Sequence, residues 1–211
     1  MKRRLKLSSR DLQYVIAFAL VATVVTSVVA YTTLFPLPKE QFFAMWILGS
    51  DGLAEDYFPN NNSTLTAGEA ISWTLGVYNH MNGLEYVVLR VKMLNSTLSS
   101  PDELTGTPSP VSTIFEFSRI LVDNETWSIP FTWRIVSLSR QTQSVMITGL
   151  SVNQTLVTGN LASAILGINF RFIFELWFYD ASTNMLSFAW TSSGATHSAW
   201  TQIWFNATMT S

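Results

Sequence analysis

The segment "WSIPFTWRI", residues 127–135, alternates apolar and polar side chains with a period of two. That period predicts a β-strand with one buried face, as strands of antiparallel sheets have. The same alternation occurs in "AISWTLGVY", residues 70–78, and in "RFIFELWFYD", residues 171–180. The apolar faces of the three segments carry Ile71, Trp73, Leu75, Val77, Trp127, Ile129, Phe131, Trp133, Ile135, Phe172, Phe174, Leu176 and Phe178. These three segments predict a mainly β domain whose core is rich in aromatic side chains.

Further short strands complete the predicted domain. They are expected at residues 42–48, 84–94, 113–122, 144–152, 185–190 and 200–208, where 185–208 would be a Trp-rich terminal hairpin. About eight or nine short strands separated by turn residues favour an immunoglobulin-like antiparallel β-sandwich over residues 41–208. Pro130 has no N–H, so its strand should be an edge strand or contain a bulge there.

Two stretches do not fit a minimal sandwich. Residues 95–112 form a polar, Pro-containing loop that is long enough to be flexible or to contact a partner. Residues 153–169 fit a loop, a short helix or a bent strand.

A separate apolar segment runs from Leu12 to Phe35, 24 residues without a charge. As a helix it spans about 30 Å of hydrocarbon with some tilt, so it predicts a single transmembrane helix at residues 12–35. Five basic residues precede it. By the positive-inside rule, residues 1–11 are a cytoplasmic basic tail, and the domain lies outside the cell after a linker at residues 36–40.

Two other interpretations of this segment remain open. Cleavage after Ala30 would make it a secretory signal, although it is longer than the usual apolar core of such a signal. A type IV pilin-like leader normally has a small residue after its last basic residue, whereas Asp11 follows Arg10 here. The anchor and the cleaved signal both export the domain.

Composition excludes several classes of function. Charged residues make up 12% of the chain, about half the usual share of a soluble domain. Beyond residue 38 there are 13 acidic and 7 basic residues, a net charge of −6. Nucleic acid is therefore not an expected partner, because phosphate binding needs a basic face. The chain has no cysteine, which excludes disulfides, thiolate metal sites and cysteine nucleophiles.

Sequons are frequent in the exported part. Half of the twelve asparagines begin an N-x-[S/T] sequon, more than the Ser and Thr content would give by chance. They are Asn61, Asn62, Asn95, Asn124, Asn153 and Asn206. None precedes the membrane segment, and most lie at predicted turns, where a glycan can face solvent. We predict covalent N-glycans, although Ser/Thr-rich loops also produce sequons that stay unmodified.

Four segments together resemble a known family. They are "FFAMWILGSDGLAEDYFP" (residues 42–59), "LGVYNHMNGLEYVVLRVKM" (75–93), "WSIPFTW" (127–133) and "FELWFYD" (174–180). They resemble the soluble module of an archaeal membrane-protein family, domain of unknown function 1616, over roughly residues 12–180. The resemblance implies an archaeal surface protein with a sandwich ectodomain, and it implies no reaction because the shared motifs are structural. The chain departs from the family by having one helix where many members have several, and by its Trp-rich segment after Tyr179.

No catalytic, cofactor-binding or metal-binding residue is predicted. The sequence lacks a Gly-x-Ser-x-Gly elbow, a P-loop and a dinucleotide glycine pattern. His80 and His197 are the only histidines and have no metal-ligand spacing. Asp51, Glu55 and Asp56 are close enough in sequence to suggest Ca²⁺, but their spacing does not match an EF-hand, and the Ser-Asp-Gly sequence there favours a hairpin turn.

Exposed aromatic residues mark a candidate interaction surface. Both faces of the strand at residues 42–48 are apolar, so something besides its own sheet should cover one of them. The residues of this candidate surface are Phe42, Trp46, Leu48, Trp190, Trp200 and Trp204.

Together these features predict a non-enzymatic, single-pass cell-surface protein. Its sandwich would bind other envelope or membrane-complex proteins, or a second copy of itself. One alternative is an accessory subunit of a membrane enzyme complex, because small and β-branched residues in the helix permit close helix packing. Those residues are Ala17, Ala19, Ala22, Thr23 and Thr26. A carbohydrate-binding module is a further alternative.

Overall fold

The computed structural model describes residues 9–35 and 40–209, and the chain divides into two units, Met1–Lys39 and Glu40–Ser211. The first unit contains helix α1, Ser9–Leu34. Its stretch Arg10–Leu34 is long and apolar enough to cross a membrane, a property that a signal sequence near the N-terminus shares. Residues 1–8 of the predicted tail and 36–39 of the predicted linker lie outside the described residues.

The hydroxyl groups of threonines within α1 donate hydrogen bonds to backbone carbonyls of the same helix. Thr23 Oγ1 donates to Ala19 O at 2.8 Å, and Thr26 Oγ1 donates to Ala22 O at 2.7 Å. A hydroxyl that bonds to the carbonyl one turn earlier leaves no polar group unpaired in an apolar environment. These threonines are therefore compatible with a membrane-spanning helix.

The second unit consists almost entirely of strands. They are β1 (Phe42–Leu48), β2 (Thr64–Leu65), β3 (Ala70–His80), β4 (Glu85–Asn95), β5 (Phe115–Leu121), β6 (Thr126–Arg140), β7 (Ser144–Val152), β8 (Thr155–Ile165), β9 (Phe170–Asp180), β10 (Met185–Ser187), β11 (Ala189–Ser192), β12 (Ala195–Ser198) and β13 (Trp200–Ala207). A 3₁₀ helix at Pro59–Asn61 is the one other regular element that the structure describes between residues 40 and 209.

The strands form two large sheets and one small hairpin. The first sheet has the order β1-β3-β6-β7-β8, and the second has the order β2-β13-β9-β4-β5 with β10 beside β9. β11 pairs with β12. Neighbouring strands run antiparallel except β2 and β13, which are parallel. The orders β1-β3-β6 and β4-β9-β13 match strands A-B-E and C-F-G of an immunoglobulin domain, which confirms the predicted fold class.

Aromatic rings from the two sheets meet in the core. The centroids of Trp73 and Phe172 lie 5.8 Å apart, and those of Phe131 and Phe174 lie 5.2 Å apart, both edge to face. This is the arrangement that the charge distribution of aromatic rings favours. The residues predicted to face inward are buried, apart from Trp127 and Phe178, which are half-buried. Period-two alternation therefore identified the core correctly.

Pro130 lies in a central strand but at a local edge. β6 runs between β3 and β7, yet β7 pairs with β6 only from Trp133 onward. Beyond that point the Asn153 side chain takes the place of a strand: its Nδ2 donates to Pro130 O at 2.8 Å, and its Oδ1 accepts from Thr132 N at 2.7 Å. The register shifts of β6 lie between Ile135 and Leu138, so the alternative of a bulge at Pro130 is wrong.

Residues 153–169 contain a strand, one of the three structures considered for them. β7 and β8 form a hairpin whose two-residue turn, Asn153 and Gln154, has φ values of 45° and 68°. Positive φ at both positions is the type I′ geometry that suits the twist of a hairpin. A register shift opposite residues 147–149 then bends β8.

The predicted Trp-rich terminal hairpin at residues 185–208 is wrong as a single hairpin. β10 adds to β9, β11 and β12 pair with each other, and β13 pairs with β9 in the second sheet. The local sequence shows strands here but not their partners, because β13 pairs with residues that lie more distantly in the chain.

Candidate interaction site

The six aromatic and aliphatic residues predicted to form an interaction surface do not lie together. Phe42, Trp46 and Leu48 are on the outer face of the first sheet, whereas Trp200 and Trp204 are on the outer face of the second, opposite Glu175 and Arg171. Phe42 and Trp204 are exposed, and Trp46, Leu48 and Trp200 are half-buried.

Trp190 belongs to the core. It is 9% exposed, its ring packs against Phe43 and Phe178, and its Nε1 donates to Gln41 O at 3.0 Å. Trp190 is therefore not part of an exposed interaction surface, and its prediction as such was wrong.

The outer face of β1 is covered largely by its own sheet, contrary to the expectation from its sequence. A Cβ atom added at Gly76 would lie 2.0 Å from the indole ring of Trp46, so the ring rests on the bare backbone of β3. Phe42 packs against Tyr78 and His80, with ring centroids 6.0 and 4.8 Å away. A glycine within a strand signals such a close approach.

Residues 96–114, which join β4 to β5, contain most of the predicted polar loop, and hydrogen bonds hold them on the outer face of the second sheet. A buried ion pair anchors them. Lys92 Nζ lies 2.9 Å from Glu175 Oε2, and their side chains are 5% and 0% exposed. Ser109 N donates to Glu175 Oε1 at 2.8 Å, and Lys92 Nζ donates to Ser109 O at 2.6 Å. Trp177 Nε1 supplies a further hydrogen bond to Glu175 at 3.1 Å. These bonds fix the path of the loop at Ser109, and its contact with a partner stays a prediction.

Arg171 makes a second anchor for the same residues. Its guanidinium donates to Ser100 Oγ at 2.6 Å, to Gln202 Oε1 at 2.9 Å and to Leu98 O. It also lies 4.7 Å from the ring centroid of Trp204, a cation–π arrangement. Burial lowers the pKa of the Arg171 guanidinium from its ordinary value, but arginine stays charged at any physiological pH.

Sequence reasoning missed both anchors. Lys92, Glu175 and Arg171 occupy positions that alternation assigns to a solvent-facing side, and it gives no sign that a loop covers them. One sequence signal of a covered face is available: Ile173 and Leu94 are apolar residues on the same side, and both are buried.

One of the open edges of the second unit is β8, the last strand of the first sheet. A groove of about 580 Å³ runs between residues 157–161 of this strand and residues 110–114. Val157, Leu161 and Ile114 are half-buried on its walls, and buried Met93 also lines it. Asn95 Nδ2 donates to Ser163 O at 2.6 Å, so β8 is already partnered beyond the groove.

Backbone groups of β8 point into this groove. The hairpin closes at the pair Val152–Thr155, whose backbone groups face each other across β7 and β8. Three residues on, the alternation turns the N–H and C=O of Thr158 away from β7. An unpaired strand edge beside an apolar wall is the arrangement that binds an extended peptide by adding it as a further strand.

The candidate metal ligands lie close together in the structure. Carboxylate oxygens of Asp51, Glu55 and Asp56 come within 4.8 Å of one another, but all three residues are exposed. Asp51 Oδ1 accepts from Leu53 N at 3.0 Å, which is a turn interaction. Among the described residues, this is the one group of three or more candidate ligands, and it contains no histidine.

Each histidine has a structural neighbour. His80 Nδ1 lies 2.7 Å from Asn124 Oδ1, with its ring stacked on Tyr78. The ring of His197 stacks on that of Trp190, 5.9 Å between centroids.

No family model matches the chain, and no curated protein matches it. Among solved structures, the CARDB domain of a Pyrococcus furiosus protein, in complex with di-metal ions, is similar at 9% identity with a TM-score of 0.38, over 82% of this chain and 98% of that one. A β-glucosidase from Listeria innocua in complex with isofagomine is similar at 11% identity with a TM-score of 0.33, over 79% of this chain and 16% of the enzyme. Likenesses of this size carry no functional argument.

Proposed function

We propose that this chain is a single-pass, N-glycosylated cell-surface protein whose β-sandwich binds protein partners through the open edge of β8. The observation that carries the proposal is the groove between residues 157–161 and 110–114. There, unpaired backbone groups give a peptide hydrogen bonds, and Val157, Leu161 and Ile114 give it apolar contacts. The partner is an extended segment of another envelope protein or of a second copy.

The membrane topology is part of the proposal. α1 serves as the anchor, and the five basic residues before Leu12 keep the N-terminus in the cytoplasm, so the sandwich lies outside the cell. Membership of the archaeal family that the sequence resembles stays a prediction.

Cysteine cross-linking tests the groove cleanly because the chain has no cysteine of its own. Asn160→Cys places a thiol in the groove, and Ser128→Cys places one on the exposed outer face of the first sheet. In native membranes a bifunctional thiol- and photo-reactive reagent should give discrete adducts with Asn160→Cys and not with Ser128→Cys. The mass of the adduct separates a second copy from another protein.

A backbone substitution then tests the mode of binding. Thr158→Pro removes an N–H that faces the groove, and proline is tolerated at such an edge position. Thr158→Val changes the side chain and keeps the N–H. Adducts at Asn160→Cys should be lost with Thr158→Pro and retained with Thr158→Val. Equal adducts from the Thr158→Pro and Thr158→Val variants would overturn the proposal. The absence of any adduct from Asn160→Cys in native membranes would overturn it as well.

A further inference from the structure

One end of the sandwich, here called the Glu40 end, is the end at which the chain enters the second unit. It contains the start of β1, the β3–β4 turn, the β5–β6 turn and the β9–β10 turn, as the pairs Phe42–His80, Glu85–Leu121 and Asp180–Met185 show. Hydrogen bonds tie these parts together: Gln41 Nε2 donates to Met81 O at 3.0 Å, and Asn82 N donates to Asp123 Oδ1 at 2.9 Å.

This end exposes a group of large apolar side chains. Six of them have exposed fractions between 41% and 65%: Leu84, Tyr86, Ile120, Val122, Tyr179 and Met185. Tyr86 pairs with Ile120 across β4 and β5, and the register of β4 with β9 brings Tyr179 next to Tyr86. The same register continued past Glu85–Leu121 brings Leu84 next to Val122, so five of these side chains form a patch on the outer side of the second sheet, whereas Met185 pairs with Asp180 on the other side. A patch of this kind on a folded domain marks a surface that meets something other than water.

Chain length limits how far this patch is from the bilayer. Helix α1 ends at Leu34 and β1 begins at Phe42. The intervening residues reach at most about 25–29 Å even when fully extended. If α1 spans the membrane, the Glu40 end is thus never farther than this from the bilayer surface.

We propose that the patch at the Glu40 end contacts the lipid headgroup layer. The proposal rests on the proposed function, because it needs α1 to be kept as an anchor. Tyr86 and Tyr179 would lie at the interface, where a ring with one polar end is favoured, and the aliphatic side chains beside them would insert toward the acyl region. A bilayer also explains why such side chains stay uncovered by the rest of the domain.

Charges at this end favour a neutral headgroup. Asp123, Asp180, Glu85 and Glu125 lie there, and among the described residues Arg119, 2.6 Å from Glu125, is a nearby cation. Burial raises the pKa of the Glu85 carboxyl, as expected for a group among apolar neighbours. The remaining acidic excess should be repelled by anionic lipid, so the contact should be stronger on zwitterionic membranes.

Fluorescence quenching in reconstituted membranes tests the contact. The full chain is inserted into phosphatidylcholine vesicles that contain a headgroup-attached nitroxide lipid. A fluorophore on Ile120→Cys should lose most of its emission, whereas one on Thr142→Cys, exposed in the β6–β7 turn at the opposite end, should keep it. Tyr86→Asp with Tyr179→Asp in the Ile120→Cys chain should restore the emission, and so should replacement of phosphatidylcholine by phosphatidylglycerol.

Three results would overturn the inference. They are equal quenching at the two label positions, quenching that ignores the tyrosine substitutions, and quenching that depends on protein density rather than on the nitroxide lipid. The last would show that a second copy covers the patch. The readout needs only an inserted helix, so its failure leaves the adducts at Asn160→Cys unaffected, and failure of those adducts leaves this readout unaffected.

Discussion

At the scale of single residues, the buried ion pair of Lys92 and Glu175 shows how this domain tolerates charge beneath a loop. Removing two charges from water costs more than their attraction returns unless other groups satisfy them. Glu175 accepts from Lys92, from the backbone N–H of Ser109 and from Trp177 Nε1. Lys92 comes from the neighbouring strand β4, Trp177 from β9 itself, and Ser109 from the loop. The pair therefore fixes the position of Ser109 and with it the path of residues 96–114.

Removing one member of the pair should be costly. Lys92→Met leaves Glu175 buried without its cation, and the expected loss is about 3–5 kcal/mol of unfolding free energy. Arg119→Met is the matched control, because the Arg119–Glu125 pair is 48% and 25% exposed and its loss should cost at most about 1 kcal/mol. Thermal or urea unfolding followed by tryptophan fluorescence measures both. The double variant Lys92→Met/Glu175→Gln should be more stable than Lys92→Met alone. An unchanged unfolding free energy for Lys92→Met would refute this account of the pair.

At the scale of elements, the alternation of apolar and polar residues was sufficient to predict a strand and its buried face wherever one face of that strand lies in the core. Strands 42–48 and 144–152 have the predicted bounds, and a turn follows each of them, at residues 50–52 and 153–154. The anchoring of residues 96–114 was not predicted, because Ser, Thr and Pro have the same polar pattern whether they face water or cover buried polar partners. The partners of β13 and the setting of Pro130 depend on pairing between distant segments, which local sequence does not encode.

The candidate site was missed for a related reason. Residues 153–169 lack clean alternation because β8 is exposed along most of its length and shifts register opposite residues 147–149. A groove needs two walls, and the second one, residues 110–114, comes from a loop whose path is fixed by Ser109 and Glu175.

The tip of the same loop packs against the β11–β12 hairpin, and glycine is required there. Gly106 has φ of 64°, and a Cβ atom on it would lie 2.6 Å from Ala189 Cβ. Gly194 also has positive φ, 82°, but open space around it. Gly194→Ala should cost about 1–2 kcal/mol from backbone strain alone, and Gly106→Ala should cost about 1–3 kcal/mol more from overpacking.

Hydrogen exchange locates that difference. Gly106→Ala should raise amide exchange across residues 98–110, and Gly194→Ala should leave those amides protected. Equal unfolding free energies for the two variants would show that the loop tip does not depend on the hairpin.

At the scale of the whole molecule, the sequons differ in the exposure and hydrogen bonding of their asparagine side-chain amides. This difference ranks the sequons as glycosylation sites. Asn61, the last residue of the 3₁₀ helix, and Asn62, which follows it, are exposed, and within the described residues their Nδ2 atoms make no hydrogen bond. Asn95 is half-buried, with its Nδ2 bound to Ser163 O across to β8. A glycan on Asn95 would have to break that contact and would crowd the end of the groove.

We therefore expect a glycan at Asn61 or Asn62 and none at Asn95, since the acceptor nitrogen must be reachable by the transferring enzyme. Glycopeptide mass spectrometry of the chain purified from its native membrane measures occupancy directly. Asn61→Gln with Asn62→Gln should lower the mass of the intact protein by one glycan, whereas Asn95→Gln should leave the glycan mass unchanged. Occupied Asn95 beside unoccupied Asn61 and Asn62 would mean that modification precedes folding, because only an unfolded chain presents the Asn95 amide as freely as the other two.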